Sequence, residues 1–198
     1  FLDRMDREIE RVKALYPQAR YVGIADGTRG NWDFLEPRTE TQIVDFYHAA
    51  EYLSEAADVL FAGKPQEKER WLEDRCHRLK HESGAAGAIL KEMKKLSTVS
   101  RTANGHADVE DAITYFSNQN KKGRMDYAAW VEEDSPIGSG VTEAACKVIV
   151  KQRLCGSGMK WKEPGAAAVL SVRCLTYTRE RWSQFWGKID RYGFPVAA

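Results

Sequence analysis

The chain has 198 residues, 43% of them hydrophobic, and a formal net charge of +1. This length permits one core with elaborations, and the near-neutral charge argues against a general polyanion-binding protein. The charge is nevertheless uneven: from Ala144 onward, ten Lys or Arg stand against three acids, a net +7 that leaves −6 for the first 143 residues. We therefore expect nucleic-acid contacts in the C-terminal part, although a solvated helix face explains any single charge equally well.

The four cysteines form no CxxC pair, and no apolar run is long enough for a membrane span or a signal peptide. These features predict a cytoplasmic protein without membrane contact. Cys76, His77 and His81 have the residue types of a zinc site, but they lack a second ligand pair nearby, so we do not expect structural zinc.

A helix opens the chain. Apolar residues recur at helical spacing from Leu2 to Tyr16, and Pro17 ends the pattern. Because the chain begins with Phe1, directly in this helix, we expect it to be part of a longer protein.

Two strands are predicted next. Residues 21–25 (YVGIA) form an apolar run that ends at Asp26, and residues 41–47 (TQIVDFY) form a second strand. Asp26 therefore lies at the carboxyl end of a strand, where α/β proteins collect ligands and catalytic groups. Asp-Gly is also a common turn, and both interpretations stay open.

Asp45 and His48 lie where the second strand meets a predicted helix over residues 48–60. An Asp and a His at such a junction are usually a helix cap and its hydrogen-bond partner, and the sequence offers no nucleophile for them to activate. We expect a structural or supporting role for both.

Residues 65–127 show a helical pattern, interrupted by a polar loop near 97–106, and Pro164 is expected in the first turn of a later helix. Trp182, Phe185 and Trp186 follow that helix. We interpret these aromatic residues as core or docking residues rather than as platforms for base stacking.

Residues 134–161 contain a glycine-rich turn and a helix predicted to start near residues 139–142 and to continue to residue 154, with Glu143 in its first turn. An acid favours this end of the helix dipole and can pair with Lys147. Lys147, Lys151 and Arg153 follow on the same helix, however, and a carboxylate beside basic residues suits a metal-assisted reaction on a polyanion.

The run from Tyr115 to Trp161 resembles the catalytic segment of bacterial insertion-sequence transposases of the ISKra4 type. The matching elements include the PIGSG turn, Glu143 with the following Ala-Cys-Lys, and the SGMKW block that ends at Trp161. The upstream ADG around Asp26 and the DFYH that begins at Asp45 resemble further blocks of the same family.

The resemblance implies an α/β fold, an incomplete RNase H-like core with an all-helical insertion, predominantly helical overall. In this interpretation, residues 1–62 and 134–180 form the core, 63–133 the insertion and 181–198 an aromatic tail. The family uses two aspartates and a glutamate to bind Mg²⁺ or Mn²⁺, with two ions in the complete site. Asp26 matches the second aspartate and Glu143 the glutamate.

The implied activity is metal-dependent DNA cleavage and strand transfer by a homo-oligomer on DNA, with transposon ends and target DNA as partners. Candidate phosphate contacts are Arg124, Lys147, Lys151, Arg153 and Lys160, and Trp161 is a candidate base contact with an equally plausible core role.

The sequence departs from the family in one respect. The first aspartate belongs on an opening strand, and Asp3 and Asp6 do not take its place because both lie on the first predicted helix. We expect this chain to be inactive alone. Alternatives are a non-catalytic DNA-binding or assembly module, and an RNase H-like nuclease without strand transfer.

Overall fold

The computed structural model describes residues 2–99 and 106–194. Its described part is predominantly helical and contains one small parallel sheet. The chain divides into two compact units, Phe1–Ser139 and Gly140–Ala198. The boundary lies in the glycine-rich turn, and the assignment of residues 1–62 and 134–180 to one core stays a prediction.

The first unit begins with helix α1 and a two-stranded sheet. The bounds are α1 Leu2–Leu15, β1 Val22–Ala25, α2 Arg29–Leu35 and β2 Thr41–Val44. The two strands are parallel, with Val22 opposite Thr41 and Ala25 opposite Val44. The first predicted helix and the first predicted strand are confirmed, each to within about a residue at its ends.

The second strand is shorter than predicted. Residues 45–47 belong instead to the start of the next helix, because the Asp45 side chain accepts hydrogen bonds from the backbone N–H groups of Tyr47 and His48 and so caps it. The prediction that residues 45–47 continue the strand was wrong, and the interpretation of Asp45 as a helix cap is confirmed.

The described remainder of the first unit is predominantly helical, as the sequence predicted between residues 65 and 127. The helices are α3 Phe46–Leu60, α4 Pro65–His81, α5 Ala85–Val99, α6 His106–Lys121 and α7 Tyr127–Glu132. Part of the predicted polar loop, residues 100–105, lies outside the described residues. Helix α3 packs against α4 and α6.

The core of the first unit joins both strands to α3–α7. Its largest fully buried side chains are Ile43, Val44, Leu53, Leu79, Ile89, Met93, Phe116 and Tyr127. The Tyr127 hydroxyl donates to the Val44 carbonyl at 3.0 Å, and the Val44 N–H donates to the Arg124 carbonyl, also at 3.0 Å. The outer edge of β2 is therefore covered by the segment that precedes α7.

The second unit contains α8 Gly140–Ala145, a π-helical segment Cys146–Lys151, α9 Gln152–Leu154, α10 Glu163–Thr176 and α11 Arg179–Tyr192. A continuous α-helix over 142–154 was expected, and the π-helical segment departs from it. The Arg173 guanidinium donates to the carbonyls of Val148 and Ile149 from α10. These bonds satisfy carbonyls at the irregular register, which accounts for its tolerance here.

Helix α10 begins one residue before Pro164, as predicted, and α11 includes much of the predicted aromatic tail. Trp182, Phe185 and Trp186 form a cluster of ring contacts along α11. Residues 195–198 of the predicted tail lie outside the described residues.

Candidate active site at the strand ends

Asp26 is the first residue after β1 and forms a tight turn. Its Oδ1 accepts hydrogen bonds from the Thr28 N–H and the Asn31 side-chain amide, both at 2.9 Å. Partial burial raises the pKa of Asp26, but these hydrogen bonds and the nearby His48 outweigh it and hold the pKa below its ordinary value. The exposed carboxylate is therefore an anion at neutral pH.

Helix α6 fixes the same turn from the other side. The Tyr115 hydroxyl donates to the Asp26 carbonyl at 3.0 Å, and the Gln119 amide donates to the Gly27 carbonyl at 3.2 Å. Gly27 has φ +101°, and a Cβ added there would lie 2.6 Å from the Tyr115 ring. The turn therefore needs glycine both for its conformation and for the close approach of α6.

Asp45, at the end of β2, is buried, and both of its carboxylate oxygens accept hydrogen bonds from backbone N–H or hydroxyl groups. Its Oδ2 accepts from the Ser139 N–H at 2.6 Å and from the Ser139 hydroxyl, while its Oδ1 caps α3. Burial raises the pKa of Asp45, but these hydrogen bonds outweigh it and keep the pKa below its ordinary value. This bonding is that of a structural anchor.

The glycine-rich turn rests on the start of α3. The Phe46 N–H donates to the Ile137 carbonyl at 2.9 Å, and a Cβ on Gly138 would meet the Tyr47 ring at 3.0 Å. The residues just before Gly140 are therefore held at the end of β2, close to Asp45.

His48 contacts residues near both strand ends: its N–H donates to Asp45, and its ring contacts Tyr115, which is bonded to Asp26. Its Nδ1 lies 3.0 Å from a Glu51 carboxylate oxygen, and its ring contacts Tyr52 and Tyr115 edge to face. Tyr52 and Tyr115 stack at 4.0 Å. The structure thus brings Asp26, Asp45 and His48 to one edge of the sheet, as expected for the carboxyl ends of parallel strands.

Glu143 lies in the second unit, in the first turn of α8, and is exposed. It lines a cavity of about 830 Å³ together with Lys147 and Lys151. Arg153, Lys160 and Trp161 are also exposed. The cavity therefore lies beside one acid and two lysines of the segment that the sequence singled out, and the roles of these residues stay predictions.

Arg124 differs from the sequence-based expectation of an exposed phosphate contact. Only 6% of the residue is exposed. Its guanidinium stacks 4.0 Å from the Trp32 ring, donates to Gln119 and pairs with Glu36. These internal partners, together with the bond from Val44 to its carbonyl, assign Arg124 a structural role.

Metal ligation needs more than Asp26 alone, because hard divalent cations take several oxygen ligands. Within residues 2–99 and 106–194, no group of three or more His, Cys, Asp or Glu side chains is placed to hold an ion. Asp45 offers no substitute, since Ser139 and the α3 cap occupy its oxygens. The first unit therefore supplies one suitable carboxylate at the strand ends.

Comparisons with known proteins gave no match: no family model, no curated protein and no solved structure is similar to this chain. None of the helices in the described part of the chain is long and apolar enough to cross a membrane.

Sequence reasoning missed the roles of Tyr115, Gln119 and Ser139. Tyr115 is 89 residues from its partner Asp26, and Ser139 is 94 residues from Asp45. Tyr115 and Ser139 belong to the motifs that carry the family resemblance, but a motif gives no partner across such distances.

Proposed function

We propose that this chain forms part of the catalytic domain of a DDE-type transposase, which cleaves DNA and transfers the resulting 3′-hydroxyl end to a target strand. The observation that carries the proposal is the setting of Asp26. It follows the carboxyl end of a parallel strand, it is an exposed anion, and hydrogen bonds from α2 and α6 fix its turn.

An RNase H-like core is the finer fold that we propose. The parallel pair, the helical segment after β2 and an acid at the start of α8 follow in the order that such a core with an insertion would require. Strand β1 pairs with β2 on one side, and the described residues add no strand on the other. We expect a strand carrying the first aspartate to pair with that edge.

Asp26 and Glu143 would hold Mg²⁺ or Mn²⁺ together with that aspartate. When bound, such ions supply charge neutralisation at the phosphate and activation of a water or a 3′-hydroxyl. The depressed pKa of Asp26 suits a cation ligand, because the carboxylate carries its charge throughout the neutral range. Exposed Lys147, Lys151, Arg153 and Lys160 would contact phosphates, and Trp161 a base.

The decisive experiment uses the protein from the full reading frame that encodes this chain. With Mn²⁺ and a duplex carrying the ends of its element, we expect nicking followed by strand-transfer products. Asp26→Asn and Glu143→Gln should each abolish both reactions and weaken Mn²⁺ binding in calorimetry, since a carboxamide is a poorer cation ligand.

Two matched variants make the experiment specific. Asp126→Asn changes an exposed aspartate at the start of α7 whose side chain makes no capping bond, and Glu163→Gln changes a first-turn glutamate of α10. Both should leave cleavage unchanged. If Glu143→Gln behaves like Glu163→Gln, Glu143 is only a helix-start acid and the proposal fails.

A non-catalytic DNA-binding module is the second candidate, and the charge of the second unit favours it. From Gly140 to the end, ten Lys or Arg stand against four acids, a net charge of +6. Duplex binding without metal-dependent cleavage by the full protein would support this candidate. Cleavage without strand transfer would instead identify a nuclease.

A further inference from the structure

A polar cavity of about 630 Å³ lies in the first unit beside the Asp26 turn. Gly27, the N-terminal part of α2 and the C-terminal end of α6 contribute to its lining. Its volume falls within the range of sites that bind small molecules or parts of larger ligands. The sequence patterns gave no indication of it, because its lining comes from segments about 90 residues apart.

The cavity has an excess of positive charge. Its lining includes two acids, and each has a cationic neighbour: Glu36 pairs with Arg124, and Asp33 lies 3.8 Å from Arg29. Lys121 and Lys122 also line the cavity, and neither forms an ion pair within the described residues. Two positive charges are thus left for a ligand.

Hydrogen-bond donors accompany this charge. The exposed side chain of Asn118 lines the cavity. Trp32 lines it as well, is only 4% exposed, and has an indole N–H without a hydrogen-bond partner in the described part of the chain. An acceptor on a ligand that reached this N–H would satisfy a buried donor that the fold leaves without a partner.

The cavity is linked to the candidate active site through α6. This helix carries Tyr115 and Gln119, which hold the Asp26 turn, and ends in Lys121. Gly27 lines the cavity and directly follows Asp26. An anion held by the two lysines would therefore lie along the surface that leads to the Asp26 turn.

We propose that this cavity binds a backbone phosphate of the DNA strand that reaches Asp26, with Lys121, Lys122 and Asn118 as its contacts. The inference rests on the proposed function, since it takes DNA as the substrate. It adds a phosphate site in the first unit, which carries a net negative charge, to those expected in the basic second unit.

The test measures duplex binding by fluorescence anisotropy over a range of salt concentrations. The variant is Lys121→Gln with Lys122→Gln, and the control is Lys94→Gln with Lys95→Gln, an adjacent pair of exposed lysines on α5 outside the cavity. Each lost phosphate contact should reduce the slope of log affinity against log salt by about 0.9, so the variant, which loses one phosphate, should lose about 0.9 and the control nothing.

A second readout follows the indole N–H resonance of Trp32, identified among the six tryptophans by Trp32→Phe. Addition of duplex should shift this resonance in the unmodified chain and in the Lys94/Lys95 control. The shift should be absent from the Lys121/Lys122 variant.

The outcomes separate this inference from the proposed function. If the variant has the salt slope of the control, the cavity does not contact DNA and the inference fails. The effect of Asp26→Asn on cleavage is a separate test of the proposed function and does not depend on this result. If inorganic pyrophosphate shifts the Trp32 resonance and duplex does not, the cavity is a small-anion site and the inference is overturned. Failure of the unmodified chain to bind duplex overturns the inference, while DNA as the substrate is judged separately by cleavage with the full protein.

Discussion

The carboxylate of Asp45 accepts hydrogen bonds from both the backbone N–H and the hydroxyl of Ser139, 94 residues further along the chain. The same carboxylate caps α3 through Tyr47 and His48. One buried side chain therefore joins the end of β2, the start of α3 and the glycine-rich turn.

Asp45→Asn should destabilise the first unit by about 1–3 kcal/mol, because an amide group replaces one acceptor oxygen and leaves buried donors unsatisfied. Urea denaturation followed by circular dichroism measures the change. Asp126→Asn, at a helix start without a capping bond, should change the unfolding free energy by less than about 0.5 kcal/mol. Equal effects of the two substitutions would show that Ser139 and the cap contribute no stability.

Acid should destabilise the protein through the same group. The folded-state pKa of Asp45 is lowered by its hydrogen bonds, so its stabilising contribution is present above the unfolded pKa of about 3.9 and is lost as pH falls through the folded value. The urea concentration at the denaturation midpoint, measured between pH 6 and pH 2, should therefore decrease once the pH falls below about 4. Asp45→Asn should flatten this dependence, and a variant as acid-sensitive as the unmodified chain would contradict the assignment.

Gly27→Ala should destabilise the protein by about 1–3 kcal/mol, because the backbone there has a φ of +101°, which a residue with a Cβ rarely adopts, and the new Cβ would lie 2.6 Å from the Tyr115 ring. Gly30→Ala is the matched control: it lies in α2, has open space around an added Cβ, and should be neutral or stabilising by up to about 1 kcal/mol. Thermal denaturation of both variants gives the comparison. Similar midpoints would mean that α6 does not press on the Asp26 turn.

Local patterns predicted most of the elements of this fold. The spacing of apolar residues located α1, β1 and the helices between residues 65 and 127, and Pro164 marked the start of α10. The predicted end of the second strand was wrong from Asp45 onward. The β-branched and aromatic neighbours of Asp45 favour a strand, whereas its side chain caps the helix that follows.

The candidate site was only partly predictable. Asp26 at a strand end follows from the sequence, because the hydrophobic run and the Asp-Gly turn are local. The burial of Arg124 on Trp32 is not local, so the family motif predicts an exposed phosphate contact where the fold has a buried arginine. The π-helical register of residues 146–151 depends on Arg173 from another helix, which no periodicity within the segment reveals.

Glu92 connects α5 to α4 and should contribute to stability. It accepts from the Trp71 indole at 2.9 Å and from Arg75 at 2.6 and 2.8 Å. Glu92→Gln removes one of the two carboxylates that pair with Arg75, the other being that of Asp74, at an expected cost of about 1–3 kcal/mol. Glu73→Gln on the exposed face of α4 should cost less than about 0.5 kcal/mol. Urea denaturation tests the difference, and the absence of one would place the α4–α5 contact in apolar packing alone.

Tyr115→Phe tests whether α6 positions Asp26 for its proposed work. The substitution removes the hydroxyl that donates to the Asp26 carbonyl and keeps the ring that stacks on Tyr52, so the loss of stability should be only about 0.5–1.5 kcal/mol. If Asp26 binds a divalent cation in the full protein, Mn²⁺ affinity should fall severalfold because its turn is less constrained. A matched change, Phe116→Tyr, would bury an unpaired hydroxyl and is unsuitable.

Thr114→Ala, an exposed change in the preceding position of α6, is the better control for Tyr115→Phe. It should leave Mn²⁺ affinity unchanged, since an exposed side chain on the same turn of the helix has no bond to the Asp26 turn. Calorimetry on both variants, with cleavage measured in parallel, separates positioning from general stability. If Tyr115→Phe lowers stability but leaves Mn²⁺ affinity and cleavage unaltered, the Tyr115 hydroxyl contributes to stability only. The Asp26 carboxylate would then keep its position without this hydrogen bond.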